Sequence, residues 1–254
     1  MDGSTAAAPA RIVAAYSGIG RRTFARHQEV EWERAAPNEV LRRIQLRDYG
    51  SAAGIPQRIV ESVVAAIGLV VTAPIMLLLA LLIRLDSPGP ALFRQKRVGK
   101  GGRLFTFVKF RTYYVDAKER FPEMYAYQYT PEQIEQLHFK IPNDQRATRM
   151  GRWLRKTTLD ELPNLINVLL GDVALCGPRP EIPEMLPYYR PHELAKFAVR
   201  PGITGLAQIS GRGRLSFRDT VSHDLDYVAG RSLSLDFKII IRTIVLIVLR
   251  DGAF

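Results

Sequence analysis

Apolar and polar positions divide this chain into three unlike stretches. From Val63 to Ile83, 21 residues pass without an ionisable side chain. As one straight helix that run is about 31 Å long at ~1.5 Å per residue, close to the ~30 Å hydrocarbon core of a bilayer. Pro74 sits in its middle, removes a backbone donor and predicts a kink. Both flanks are basic, with Arg42, Arg43, Arg47 and Arg58 before the run and Arg84, Arg94, Lys96, Arg97 and Lys100 after it. The positive-inside tendency then asks for both ends to be cytoplasmic. A re-entrant helix broken at Thr72 to Pro74, entering and leaving by one face, satisfies both signals. The Thr72 hydroxyl is placed to meet a carbonyl freed by the proline. The rival is an ordinary kinked span.

Residues 1–54 precede this run as an N-terminal extension. The first 28 are rich in Ala and Arg and have no apolar core of a secretory signal, so a partly disordered cytosolic tail is expected. Asn38 to Tyr49 reads as a short amphipathic helix, with Val40, Leu41 and Ile44 on one face and Arg42, Arg43 and Arg47 on others. It suits an anionic membrane surface or a solvated helix face.

After the apolar run, Asp86-Ser87-Pro88-Gly89-Pro90 is a sharp stop. Ala91–Val98 and Arg103–Arg111 predict a hairpin around Gly99-Lys100-Gly101-Gly102. The period of two places Phe105, Phe107, Lys109 and Arg111 on one face of its second strand. Thr130-Pro131-Glu132-Gln133 is a helix start, and Pro163–Leu170 a helix closed by Gly171. The apolar C-terminal stretch Leu235–Leu249 is too short to cross a bilayer alone, and is expected in the interface. These elements predict an α+β, mostly helical fold. A compact catalytic domain with a small hairpin (86–254) sits on a re-entrant, Pro-broken membrane helix (55–85).

Composition changes this picture little. The 254 residues carry a formal charge of +11, which suits anionic lipid, phosphorylated small molecules or nucleic acid. Neither a recognition helix nor an aromatic-basic platform supports nucleic acid. Cys176 is the single cysteine, so no internal disulfide forms.

The candidate chemistry lies in Thr157-Thr158-Leu159-Asp160-Glu161-Leu162-Pro163, where two carboxylates follow Arg152, Arg155 and Lys156. Thr158 and Glu161 also match a capping box, which alone would explain the acids structurally. The surroundings favour phosphate chemistry. A carboxylate attacks phosphorus only where the repulsion between anions is screened, by a divalent cation and convergent guanidinium groups. Mg²⁺ bridges one or two carboxylates to substrate phosphates, and arginine captures phosphate oxygens in pairs. Arg155, Arg179 and Arg200 all stand near prolines or near the acid pair. Adjacent residues of a helix point ~100° apart, so Asp160 and Glu161 take different roles: one attacks, the other orients metal or a base such as Lys109.

These stretches together resemble the bacterial sugar transferases, the monotopic polyprenyl-phosphate phosphoglycosyl transferases in their short form. The resemblance runs from about Arg58 to the C-terminus. It rests on Ser87–Pro90, Phe93–Gly99, Lys109-Phe110-Arg111-Thr112, Leu154–Pro163, Gly177-Pro178-Arg179-Pro180 and Arg200–Gly205 in this order. It implies transfer of a sugar-1-phosphate from a UDP-sugar to undecaprenyl phosphate, with release of UMP, as the first membrane step of a surface glycan such as an exopolysaccharide or O-antigen. It implies Asp160 as nucleophile with Mg²⁺ alongside, Glu161 as second acid and Lys109 as strand lysine. Arg155, Arg179 and Arg200 would bind phosphate or nucleotide, and Pro178 to Pro180 the uridine side. The implied location is the bacterial inner membrane, with the catalytic domain on the cytoplasmic face and downstream glycosyltransferases as possible partners. Two departures stand out: Ala73 precedes Pro74 where the family has Ser, and Tyr113 follows Lys-Phe-Arg-Thr where it has Met. Arg111 of that motif joins the expected phosphate-binding set. The rival function is a non-catalytic, membrane-anchored scaffold of a glycan assembly complex.

Overall fold

The computed structural model describes residues 36–45, 54–139, 141, 143–211 and 214–249. The expectations for residues 1–35 and for Arg47 lie outside them. The first described element, α1 (Pro37–Gln45), buries Val40, Leu41 and Ile44 and leaves Arg42 and Arg43 exposed. Its apolar face packs against the 3₁₀ turn Pro183–Tyr188 and the hairpin tip at Lys100–Gly102. The stripe expected to meet a lipid surface or solvent is part of the protein core instead.

The apolar run forms α2 (Ile55–Asp86), 32 residues assigned as one helix through Pro74. Pro56 occupies its first turn, where a missing N–H costs nothing. The proline at 74 has no N–H for the Val70 carbonyl four residues back. The Thr72 hydroxyl does not serve that carbonyl; it donates to Gly68 O at 2.6 Å. Among the described residues α2 is the one helix long and apolar enough to cross a membrane, and little of its apolar part is buried. A single stripe, Glu61, Ala65, Leu79 and Ile83, faces the domain. The opposite side is open, Val70 to 76% and Leu77 to 73%. One-sided burial of so apolar a helix leaves the other side for lipid.

The domain holds α2 along its length. At its start Arg58 donates to Val168 O and Leu169 O, each at 2.7 Å, and Glu61 pairs with Arg200 at 2.6 Å. At its end Asp86 accepts from the Met150 amide at 2.9 Å.

The predicted hairpin is present as antiparallel β1 (Leu92–Val98) and β2 (Leu104–Phe110), with Phe93 opposite Lys109, Gln95 opposite Phe107 and Arg97 opposite Phe105. Short helices α3 (Ala117–Arg120) and α4 (Pro131–Glu135) follow, the latter with the expected capping box at Thr130. Next come α5 (Arg149–Thr157) and α6 (Asn164–Leu170), closed by Gly171 at φ 88° as predicted. Gly151 lets α5 lie against the exit of β2: a Cβ there would meet Thr112 O at 1.9 Å. A small parallel pair, β3 (Ala174–Cys176) with β4 (Gly202–Thr204), brings the two Arg-Pro loops together. The last described elements are α7 (Leu206–Gly211), α8 (Phe217–Gly230) and α9 (Leu233–Val248). Leu233, Phe237, Ile241 and Ile244 make an exposed apolar face on α9, while Ile239 and Leu246 are buried. The fold is mostly helical with small two-stranded sheets.

Candidate active site

The acid pair sits on a forced turn. α5 ends at Thr158, a non-glycine residue at φ 62°, and Leu159–Glu161 form one 3₁₀ turn. The Thr158 side chain makes no capping hydrogen bond, so the capping-box explanation of these acids does not hold. Leu159 and Leu162 pack against the apolar cluster of Leu79, Ile83, Phe110 and Leu154, while Asp160 stands within the field of Lys109 on β2. Asp160 is 7% exposed. Among the described residues nothing in the chain donates a hydrogen bond to its carboxylate.

Burial pushes the Asp160 carboxyl up to about 6; the charge of Lys109 opposes this, Glu161 adds to it, and Arg179 and Arg155 counter it. Burial also lowers Lys109, against the pull of Asp160. The two groups therefore stand within each other's field in a poorly solvated spot, where such shifts accompany reactivity. Glu161 serves a different purpose. It accepts from Arg179 Nη2 at 2.8 Å, and that ion pair raises the guanidinium further.

The hairpin face beside the acids holds Gln95, Arg97, Phe107 and Lys109. Arg97 donates to Pro180 O at 3.0 Å and to Gln95 Oε1 at 2.9 Å, and stacks 5.6 Å from the Phe107 ring centre. Burial brings it down to about 10, and its charge weighs on Lys109. Lys109 Nζ lies 5.7 Å from the Phe93 ring centre. The sequence reading placed Arg97 in the basic flank and not in the site, although the cross-strand register puts it on the face of Lys109. It also missed Asn167, a buried amide on the apolar face of α6. Asn167 donates to Thr106 O at 2.7 Å and accepts from the Val108 amide at 3.1 Å, so it locks α6 to the strand that carries Lys109.

The structure thus brings together Asp160, Glu161, Lys109, Arg179 and the Pro178–Pro180 loop, with Arg155 close enough to act on Asp160. Two expected phosphate binders are placed elsewhere. Arg111 lies beyond the last residue of β2, so the period of two no longer applies to it. It is 4% exposed and donates to Pro90 O at 2.7 Å, Ser87 Oγ at 2.9 Å and Ser87 O at 2.8 Å. It fastens the C-terminal end of α2 and has no share in the acid site. Arg200 pairs with Glu61 at the opposite end of α2 and is not among the charges that weigh most on Asp160.

Magnesium needs only one or two protein carboxylates when phosphates and water complete its shell. No cluster of three or more His, Cys, Asp or Glu occurs among the described residues. Asp160 and Glu161 offer two hard oxygen donors on one turn, and Asp160 is the freer of them. That donor set fits Mg²⁺.

Comparison with known proteins bears on this geometry. The family model for bacterial sugar transferases matches residues 52–250. The UDP-glucose:undecaprenyl-phosphate glucose-1-phosphate transferase of Caulobacter vibrioides is 40% identical over 211 residues, which are 80% of this chain and 73% of that protein. The exopolysaccharide production protein ExoY of Rhizobium meliloti is 34% identical over 203 residues, covering 79% and 89%. The undecaprenyl-phosphate galactose phosphotransferase of Salmonella typhimurium is 35% identical over 215 residues, 85% of this chain but 45% of that protein. The chain therefore spans most of some relatives and less than half of others. The match takes in α2, the hairpin, the acid turn and both Arg-Pro loops, and the chain belongs to the bacterial sugar transferase family.

Proposed function

We propose that this chain transfers a sugar-1-phosphate from a UDP-sugar to undecaprenyl phosphate through a covalent intermediate on Asp160. The observation that carries the reading is the Asp160 carboxylate, buried, without a hydrogen bond among the described residues and within the field of Lys109, on a domain laid along an apolar helix. An Asp160 oxygen attacks the phosphorus that bears the sugar. The bond from that phosphorus to the bridging oxygen breaks, and UMP leaves with the bond's electron pair. A phosphate oxygen of the lipid then attacks the same phosphorus and frees the carboxylate. Splitting the transfer in this way replaces one hard step by two easier ones.

Lys109 and Arg179 spread positive charge over the phosphates, and Glu161 holds Arg179 in place. Asp160 and Glu161 would hold Mg²⁺, which supplies neutralisation between carboxylate and phosphate. Arg97 fixes the Pro178–Pro180 loop through the Pro180 carbonyl, so that loop presents a stiff edge to the nucleotide. The test is UMP release from a panel of UDP-sugars with Mg²⁺ and no lipid acceptor. We expect a burst of one UMP per enzyme. No release until lipid is added would reject the covalent step in favour of a ternary complex, and no release even with lipid would favour the scaffold.

We further propose that α2 enters and leaves the inner membrane by its cytoplasmic face, bending at Pro74 in the bilayer. Both ends of α2 are fastened to one domain, by Arg58 and Glu61 at the start and by Arg111 at the end. A through-going span would have to separate those anchorages across the bilayer. Labelling at cysteines placed just before and just after α2 should report the cytoplasm for both; periplasmic labelling of the first would reject this topology.

A further inference from the structure

Beside the acid turn lies a second charged cluster that the mechanism above does not use. Asp144, 5% exposed, is gripped by Arg146 through two bonds, Nε to Oδ1 at 2.9 Å and Nη2 to Oδ2 at 2.8 Å. Tyr113 donates its hydroxyl to Asp144 Oδ2 at 2.8 Å and accepts from Arg155 Nη1 at 3.0 Å. Two guanidinium groups stand over its ring, that of Arg146 4.7 Å and that of Arg155 5.3 Å from the ring centre. The backbone is locked as well: Tyr113 bridges Ala147, and the Tyr114 amide donates to Arg146 O at 3.0 Å.

The cluster holds one anion and two cations, so one positive charge is left over. That surplus is Arg155, whose Nη1 alone is engaged, by Tyr113 and by Asp144 at 3.3 Å. Among the described residues its Nε and Nη2 have no hydrogen-bond partner. Its charge reaches Asp160, five residues on.

We propose that Tyr113 is a positioning residue, which clamps Arg155 by ring and hydroxyl so that its free N–H groups meet a substrate phosphate at Asp160. This rests on the phosphate-transfer reading above. The donor's diphosphate and the lipid's phosphate offer the same oxygen chemistry, and kinetics separate them. Burial pushes the Tyr113 hydroxyl up to about 12, so it stays protonated and can bridge at working pH. Asp144 stays ionised: burial opposes this, but hydrogen bonds from Arg146 and Tyr113 hold it well below the usual carboxylate range.

The test is Tyr113→Phe, which keeps the ring and removes the bridge, assayed with both substrates varied. We expect KM for one of them to rise about five- to tenfold, as for the loss of one hydrogen bond, with kcat within about twofold. The donor arm assigns Arg155 to the diphosphate, the acceptor arm to the lipid. In an Arg155→Lys background the same change should add little, because the clamped fork is already gone. Unchanged KM values, a fall in kcat alone, full additivity with Arg155→Lys, or loss of folding in Tyr113→Phe would each overturn the proposal. If the wild-type chain releases no UMP, the transfer reading itself falls. Tyr113 is then judged by titration with inorganic pyrophosphate, where weaker binding in Tyr113→Phe supports the clamp and equal binding rejects it.

Discussion

Asp160→Asn is expected to abolish the covalent phosphosugar adduct and to lower turnover by roughly four orders of magnitude or more, the scale seen when a nucleophile is removed. The amide matches the carboxylate in shape but cannot form a stable acyl-phosphate. Folding should survive, because burial disfavours the Asp160 charge and a neutral isostere relieves that cost. Mass spectrometry after incubation with UDP-sugar reads the adduct, and a thermal melt confirms the fold. Substantial UMP release by the Asn variant would contradict the assignment. The same placement sets a pH profile for the wild type. The attacking group must be the carboxylate, which burial raises to about 6 in the protein alone and a bound cation lowers. Adduct formation should therefore rise with pH on the acid side of 6 and be level above it.

What the sequence made legible follows from how local each signal is. The hairpin, the helix start at Thr130 and the stop at Gly171 depend on neighbours a few residues apart, and all three stand in the structure. The acid turn and the Pro178–Pro180 loop carried their chemistry in short motifs, and the fold joins them through the Arg179–Glu161 pair. Arg111 was misread because alternation was carried one residue past the end of β2. Arg200 could not be placed because its partner, Glu61, is 139 residues away. The α1 stripe has the same pattern whether its apolar face meets lipid or protein. Only the groove formed by Pro183–Tyr188, far along the chain, decides between them. Arg97 was within reach, since pairing it across from Phe105 fixes its face.

Lys196→Met should cost about 3–5 kcal/mol of stability, the usual result of removing one partner from a buried charge cluster. Lys196 Nζ lies 3.0 Å from Asp224 Oδ2 and 3.6 Å from Glu181 Oε2, and donates to the Tyr189 hydroxyl at 2.9 Å. Tyr189 in turn donates to Glu181 at 2.7 Å. Asp224 is wholly buried and Lys196 only 3% exposed. Burial alone would lower the lysine, but Asp224 and Glu181 outweigh it and keep it charged. Without that cation two buried carboxylates are left, and Asp224, already raised by burial, must take a proton. Its folded-state proton affinity then exceeds the unfolded one further. The variant's deficit should shrink as pH falls and grow as pH rises. At ~2–4 °C per kcal/mol for a chain of this size, the melting temperature at pH 8 should drop by roughly 6–20 °C, and by less at pH 5. The damage should also reach the site. Glu181 follows Arg179 by two residues, and its carbonyl accepts from the Val98 amide at 2.8 Å. Loosening that bridge frees the loop that Arg97 and Glu161 hold. A variant that melts like the wild type at both pH values would show that this cluster does not hold the Arg179 loop.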